Sequence, residues 1–170
     1  SLSNAMLLLG STLINTPVMS LQTGGELART KKAIIDPANL SIIAYELAGV
    51  RLTMHPTLLR IADVRELSDL GLIVDSEDEF VTEHDVIKLD EIYHMGFEVI
   101  NMLVTDEKNR KLGHVIDYTL DTNGFFVQQL TVRRPLLRSL NDTELLIHRS
   151  QIIEINDKAI VVHSEAKAPE

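Results

Sequence analysis

The sequence predicts an all-β fold of two small β-barrels, related by an internal repeat and joined by a short α-helix. Three observations predict it. The second half of the chain resembles the first at a nearly fixed offset: Leu27 and Leu112 are 85 residues apart, as are Asp36 and Asp121. Six more identities fall at offset 88, namely Leu58/Leu146, Glu66/Glu154, Asp69/Asp157, Val74/Val162, Ser76/Ser164 and Glu77/Glu165. The change of offset is confined to 48–57 in the first copy and 133–145 in the second, and an insertion held within a loop is what a duplicated fold tolerates. Second, short apolar runs with a period of two alternate with turn residues. Third, one segment at the junction of the copies has helical spacing instead.

Residues 1–5 read as a cloning remnant ahead of a natural start at Met6, with copy one over 6–80, a linking segment over 81–95, copy two over 96–165 and a tail over 166–170. Each copy, at roughly 75 residues, is near the size where a single core gives marginal stability, so packing of one copy against the other, in pseudo-two-fold fashion, is expected.

In copy two Leu112, His114, Ile116, Tyr118 and Leu120 share one parity and predict a strand with one buried face. The strand ends at Asp121-Thr122-Asn123-Gly124, where Asn-Gly favours a hairpin because both residues tolerate positive φ. The return strand is 125–132. Copy one turns at Asp36-Pro37-Ala38-Asn39, with Pro presetting φ, and returns over 42–47. Each copy closes with a second hairpin, 64–67 with 72–74 and 152–155 with 160–162. Closure into a barrel would remove open sheet edges. In the junction, Thr82 and Asp85 approximate a capping pair ahead of Val86, Leu89, Ile92 and Tyr93, with Gly96 beyond, so an amphipathic helix is expected over 82–94. The acidic run 75–79 reads as a solvated linker.

The chain carries a net charge of −9, distributed as −4, −3 and −2 over 6–80, 81–95 and 96–165. Direct nucleic-acid binding draws on an excess of Lys and Arg that this chain lacks, so a protein partner is the better expectation. There is no Cys, which removes disulfides, thiolate metal sites and a Cys nucleophile and fits a cytoplasmic protein. No apolar run is long enough for a membrane span.

The run Leu-Gly-His-Val-Ile-Asp-Tyr-Thr-Leu-Asp (112–121), preceded by an apolar strand and polar turn, resembles the PRC-barrel, as does Leu-Leu-Ile-His-Arg-Ser-Gln-Ile-Ile-Glu-Ile (145–155) before its terminal hairpin. This domain is shared by the H subunit of photosynthetic reaction centres and the ribosome maturation factor RimM. The resemblance covers about 13–77 and 96–165; copy one departs from it at Thr30, Lys31 and Lys32, where copy two has Val115, Ile116 and Asp117. It implies a compact barrel of about six strands acting as an adaptor for protein or ribonucleoprotein, with no shared catalytic set, so no active site and no cofactor are carried over.

Among candidate sites, Arg133, Arg134, Leu136, Leu137 and Arg138 stand out, because they place three guanidinium groups and two leucines in the loop that differs between the copies. Arg binds carboxylate or phosphate bidentately, and exposed Leu beside it makes a docking spot. No metal site is predicted: His84 and His94 lie ten apart, a poor match for one helical face, with Asp85 and Glu91 nearby. His114, His148 and His163 would cluster only if their strands were neighbours. Thr23-Gly24-Gly25-Glu26 lacks the Lys of a phosphate loop and reads as a turn, and Asp36 and Asp121 read as local turn acceptors rather than paired acids. The expected function is a non-enzymatic, cytoplasmic adaptor for a protein or ribonucleoprotein. The alternative is an enzyme or small-ligand binder using the cleft between barrels. Homo-oligomers through free edges or the helix are compatible with either reading.

Overall fold

A computed structural model describes residues 6–135 and 143–163. Among the described residues are thirteen strands and one α-helix. In chain order they are β1 (Leu7–Leu9), β2 (Pro17–Ser20), β3 (Glu26–Asp36), β4 (Ser41–Ala48), β5 (Thr57–Arg60), β6 (Glu66–Ser68), β7 (Gly71–Val74), α1 (Ile87–Met95), β8 (Leu103–Asp106), β9 (Lys111–Asp121), β10 (Phe126–Arg133), β11 (Glu144–His148), β12 (Ile152–Ile155) and β13 (Ala159–Val162). The protein is mostly β, as expected.

The chain divides into two compact units. The N-terminal unit is Thr12–Asp36 with Ser41–Phe97; the C-terminal unit is everything described from Glu98 onward, together with residues 6–11 and Pro37–Leu40. Backbone bonding accounts for the placement of residues 6–11 and Pro37–Leu40 in the C-terminal unit. β1 pairs antiparallel with β9, Leu7 opposite Asp121 and Leu9 opposite Thr119. The Leu40 carbonyl accepts the Val127 N–H at 2.9 Å.

In the N-terminal unit the pairing order is β5-β4-β3-β2-β7-β6, antiparallel except for the parallel pair β2–β7. In the C-terminal unit it is β11-β10-β9-β8-β13-β12, with β8–β13 parallel and β1 extending the β8 side of β9. The two orders coincide strand for strand. No ladder among the described residues closes either order into a hydrogen-bonded ring. Both sheets must nevertheless curl. Six flat strands about 4.8 Å apart would set the outer two roughly 24 Å from each other. β5 and β6, the outer two of the first unit, are joined only through 61–65, including a 3-10 turn at Ile61–Asp63, and six residue steps reach at most about 21 Å. β11 and β12 are joined through the 3-10 turn Arg149–Gln151, where four steps reach about 14 Å.

Bulges supply the bending. Register shifts place an extra residue at Leu27 and Lys31 on β3 and at Ile43 on β4, and at Leu112 and Ile116 on β9 and Gln128 on β10. The bulge at Ile116 breaks the single parity expected along β9: Val115 is buried before it, Tyr118 and Leu120 after it. Lys31, where the first copy departs from the second, sits on a bulge with its side chain exposed, so the position accepts either residue type. In β9 the bulge at Leu112 is followed by Gly113 at φ 147°, where a Cβ would come 2.1 Å from the Arg133 carbonyl oxygen. Only glycine fits there.

The Asn123-Gly124 turn forms differently from expectation. Neither residue takes positive φ; Phe125 does, at 51°, with its N–H bonded to the Asp121 carbonyl at 2.8 Å and its ring buried. Leu40 does the same after the Asp36 turn, at 59°. Burial of a large apolar side chain offsets the left-handed backbone in both cases.

The junction helix divides in two. Thr82 N–H donates to Asp85 Oδ2 at 2.8 Å, but this pair caps a 3-10 turn over Glu83–Asp85, and α1 begins afresh at Ile87. The helix ends at Gly96, φ 64°, in the left-handed cap. It is not a free linker. Leu89 and Ile92 are buried in one cluster with Ile34, Ala44 and Leu58 of the N-terminal unit.

Candidate functional site

Of the five residues predicted to bind a partner, Leu136, Leu137 and Arg138 lie outside the described residues. Arg133 ends β10 with its side chain exposed; its backbone opposes His114 and Glu144. Arg134 is half-buried and its N–H donates to the Thr143 carbonyl at 2.8 Å, continuing the β10–β11 hairpin. The loop at the same place in the N-terminal unit follows β4, and there Val50 is fully exposed (103 %) next to exposed Arg51.

Arg149, directly after β11, is engaged internally. Its guanidinium donates to the carbonyls of Val127 (3.1 Å) and Asn39 (2.8 Å) and lies 4.7 Å from the Phe126 ring centroid. It pins the Pro37–Leu40 turn to β10 and borders a shallow groove of about 190 Å³ shared with Asn39, Ile153 and Ile155. Drug-sized ligands occupy clefts of about 300 Å³ or more, so this groove is small for one.

The three histidines of copy two do not converge. His148 is held between Gln128 Nε2 and Ser150 Oγ, each at 2.8 Å, while His163 donates its N–H to the Gln151 carbonyl. Asp121 accepts the Asn123 N–H at 2.8 Å, a local turn bond, and buried Asp36 faces Lys88 of α1 at 3.6 Å.

The pair that spacing disfavoured does converge. His84 sits on the 3-10 turn before α1 and His94 in its last turn, and their rings lie 6.1 Å apart, near-parallel at 29°. His84 Nε2 is 3.2 Å from Glu83 Oε1, and His84 Nδ1 is 3.3 Å from Asp90 Oδ1. His94 Nε2 is 3.1 Å from the same Asp90 oxygen. One donor atom each from Glu83, His84 and His94 fall within 4.8 Å of one another, the one such set of three among the described residues. Asp90 Oδ1 and Glu83 Oε2 are shielded from solvent and accept no well-aligned hydrogen bond. Spacing missed the cluster because the i, i+4 rule presumes one unbroken helix, whereas the break at Val86 folds His84 back toward Asp90. Asp85, nearer in sequence, is occupied by the Thr82 N–H.

Tyr93, edge-on to His94 at 5.5 Å, donates its hydroxyl to Glu46 at 3.3 Å. Burial, and then the Glu46 carboxylate, push its phenol above the ordinary tyrosine range. No family model matches the chain, and no curated protein matches it either.

Proposed function

We propose that the chain is a non-enzymatic adaptor built from two copies of one PRC-like barrel module, binding a protein or ribonucleoprotein through the loop that opens at Arg133. Support for the duplication comes from the coincident strand orders and from bulges that recur 85 residues apart, Leu27/Leu112, Lys31/Ile116 and Ile43/Gln128. Support for the contact comes from one observation. Where the two copies differ in length, the N-terminal unit ends β4 in a wholly exposed Val50 beside Arg51, and the C-terminal unit ends β10 in exposed Arg133. Arg110 and Arg149 of the same unit are already bonded to Asp106 and to backbone carbonyls, so Arg133 is the cation of β10 turned to solvent. A guanidinium there fits a carboxylate- or phosphate-bearing partner surface.

The test compares affinity capture from a cell extract by the intact chain and by the Arg133→Ala/Arg134→Ala/Arg138→Ala variant, with mass-spectrometric identification. A partner retained by the intact chain, lost by the variant and released by moderate salt is the expected result. Equal capture by both proteins would remove the Arg loop from the contact.

A further inference from the structure

We propose that Glu83, His84, Asp90 and His94 form a binding site for one divalent transition-metal ion of the Zn²⁺ type. Glu83, His84 and His94 supply the ligands, one donor atom each within 4.8 Å of one another, and Asp90 Oδ1, which lies against both imidazoles, orients their rings. Two imidazoles with one carboxylate are a donor set for Zn²⁺, Co²⁺ or Fe²⁺ rather than for Ca²⁺ or Mg²⁺, which take oxygen.

The separations agree with ligation. Metal–nitrogen and metal–oxygen bonds of about 2.0–2.1 Å in a tetrahedral centre put neighbouring ligand atoms about 3.3 Å apart. Glu83 Oε1 and His84 Nε2 are 3.2 Å apart, and one donor atom each of Glu83, His84 and His94 lie within 4.8 Å of one another. A second observation is independent of these lengths. Glu83 is only 14 % exposed, and its Oε2 is shielded from solvent with no hydrogen-bond partner. A buried carboxylate oxygen left in that state is costly, and an ion bound by Glu83 would satisfy it. Asp90 completes the arrangement. Its Oδ1 lies 3.3 Å from His84 Nδ1 and 3.1 Å from His94 Nε2, the carboxylate–histidine relation that holds ligand rings in orientation.

The scaffold suits the role. α1 is anchored from its opposite face by Leu89 and Ile92, so Asp90 and His94, one turn apart, hold a fixed relation. The acidic segment 81–95 adds a field that favours a cation. A bound ion would tie the 3-10 turn to the last turn of α1.

The experiment uses the full chain, tag-free and stripped with a chelator, titrated with Co²⁺ and followed by its visible d–d absorption, then displaced with Zn²⁺. One saturable Co²⁺ per chain, displaced by Zn²⁺ but not by Ca²⁺ or Mg²⁺, is expected. His84→Gln and His94→Gln, both on exposed side chains, should each abolish the signal while leaving the metal-free melting temperature unchanged. Asp90→Asn should weaken binding roughly ten-fold, the usual effect of losing an orienting partner. Absence of saturable binding, binding that survives the double His variant, or effective competition by Ca²⁺ would each overturn the proposal. None of these outcomes bears on the Arg133 loop, so the two readings fail separately.

Discussion

Asp106 is buried at the end of β8, and its carboxylate does the work of a turn. Oδ1 accepts the N–H groups of Lys108 and Arg110, both at 2.9 Å, and Oδ2 accepts Arg110 Nε at 2.6 Å. Desolvation acts to raise this carboxyl, but the Arg110 N–H, the Arg110 guanidinium and the Lys108 N–H outweigh it and hold the group below the ordinary aspartate range. A carboxyl whose folded pKa is depressed contributes stability that is fully present above its unfolded value, about 3.9, and lost as pH falls through the folded one. Asp106→Asn should therefore melt below the parent at neutral pH, with the difference shrinking as pH drops under about 4. Thermal melts between neutral and acid pH decide this, since a constant difference would assign the loss to shape rather than charge. Residues of this kind were only partly legible. The polar turn ahead of residue 112 could be read from the sequence, whereas the choice of Phe125 over Asn123 or Gly124 for positive φ depended on which side chain the core would bury.

At the scale of elements, α1 separates two surfaces that are otherwise alike. Leu58 on β5 and Leu146 on β11 occupy matching pairing positions, opposite Glu46 and Thr131. Leu58 is wholly buried (0 %) and Leu146 is 43 % exposed. The difference is the helix: Leu89 and Ile92 cover Leu58 together with Ile34 and Ala44. The residues 85 positions on from Ile34 and Ala44 are Thr119 and Gln129, both half-buried. Leu58→Ala should accordingly cost about 2–5 kcal/mol, as truncations in packed cores do. Leu146→Ala should cost less than about 1 kcal/mol. Urea unfolding of the two variants measures both, and equal losses would show that α1 does not seal the cluster. The helix itself was legible from its period and from Gly96. Its role was not, because the repeat made 81–95 look like a remainder between copies. The contrast of Ile34 and Ala44 with Thr119 and Gln129 was the available signal that one copy has an apolar outer face to cover.

For the whole molecule, the hairpins were readable because turn residues and local parity announce them, while every pairing between distant segments was not. The parallel pairs β2–β7 and β8–β13 have no turn signal, and neither does β1, whose partner strand lies more than a hundred residues away. β1 brings Gly10 and Ser11 to the β9 surface, where Ser11 N–H donates to Asp117 at 3.1 Å and the Gly10 backbone lies against the Tyr118 ring, leaving no room for a Cβ. Burial, and then Asp117, push the Tyr118 phenol well above its ordinary range. The C-terminal unit therefore includes the start of the chain. Deleting residues 6–11 should free the amides of 119–122 for hydrogen exchange and bring the Tyr118 phenol back toward about 10. Amides of β3 in the N-terminal unit should keep their protection. Ultraviolet titration of Tyr118 and exchange mass spectrometry give two readings of one event. If both stay at parental values, β1 adds nothing to the C-terminal unit, and a single cut between the copies describes the chain after all.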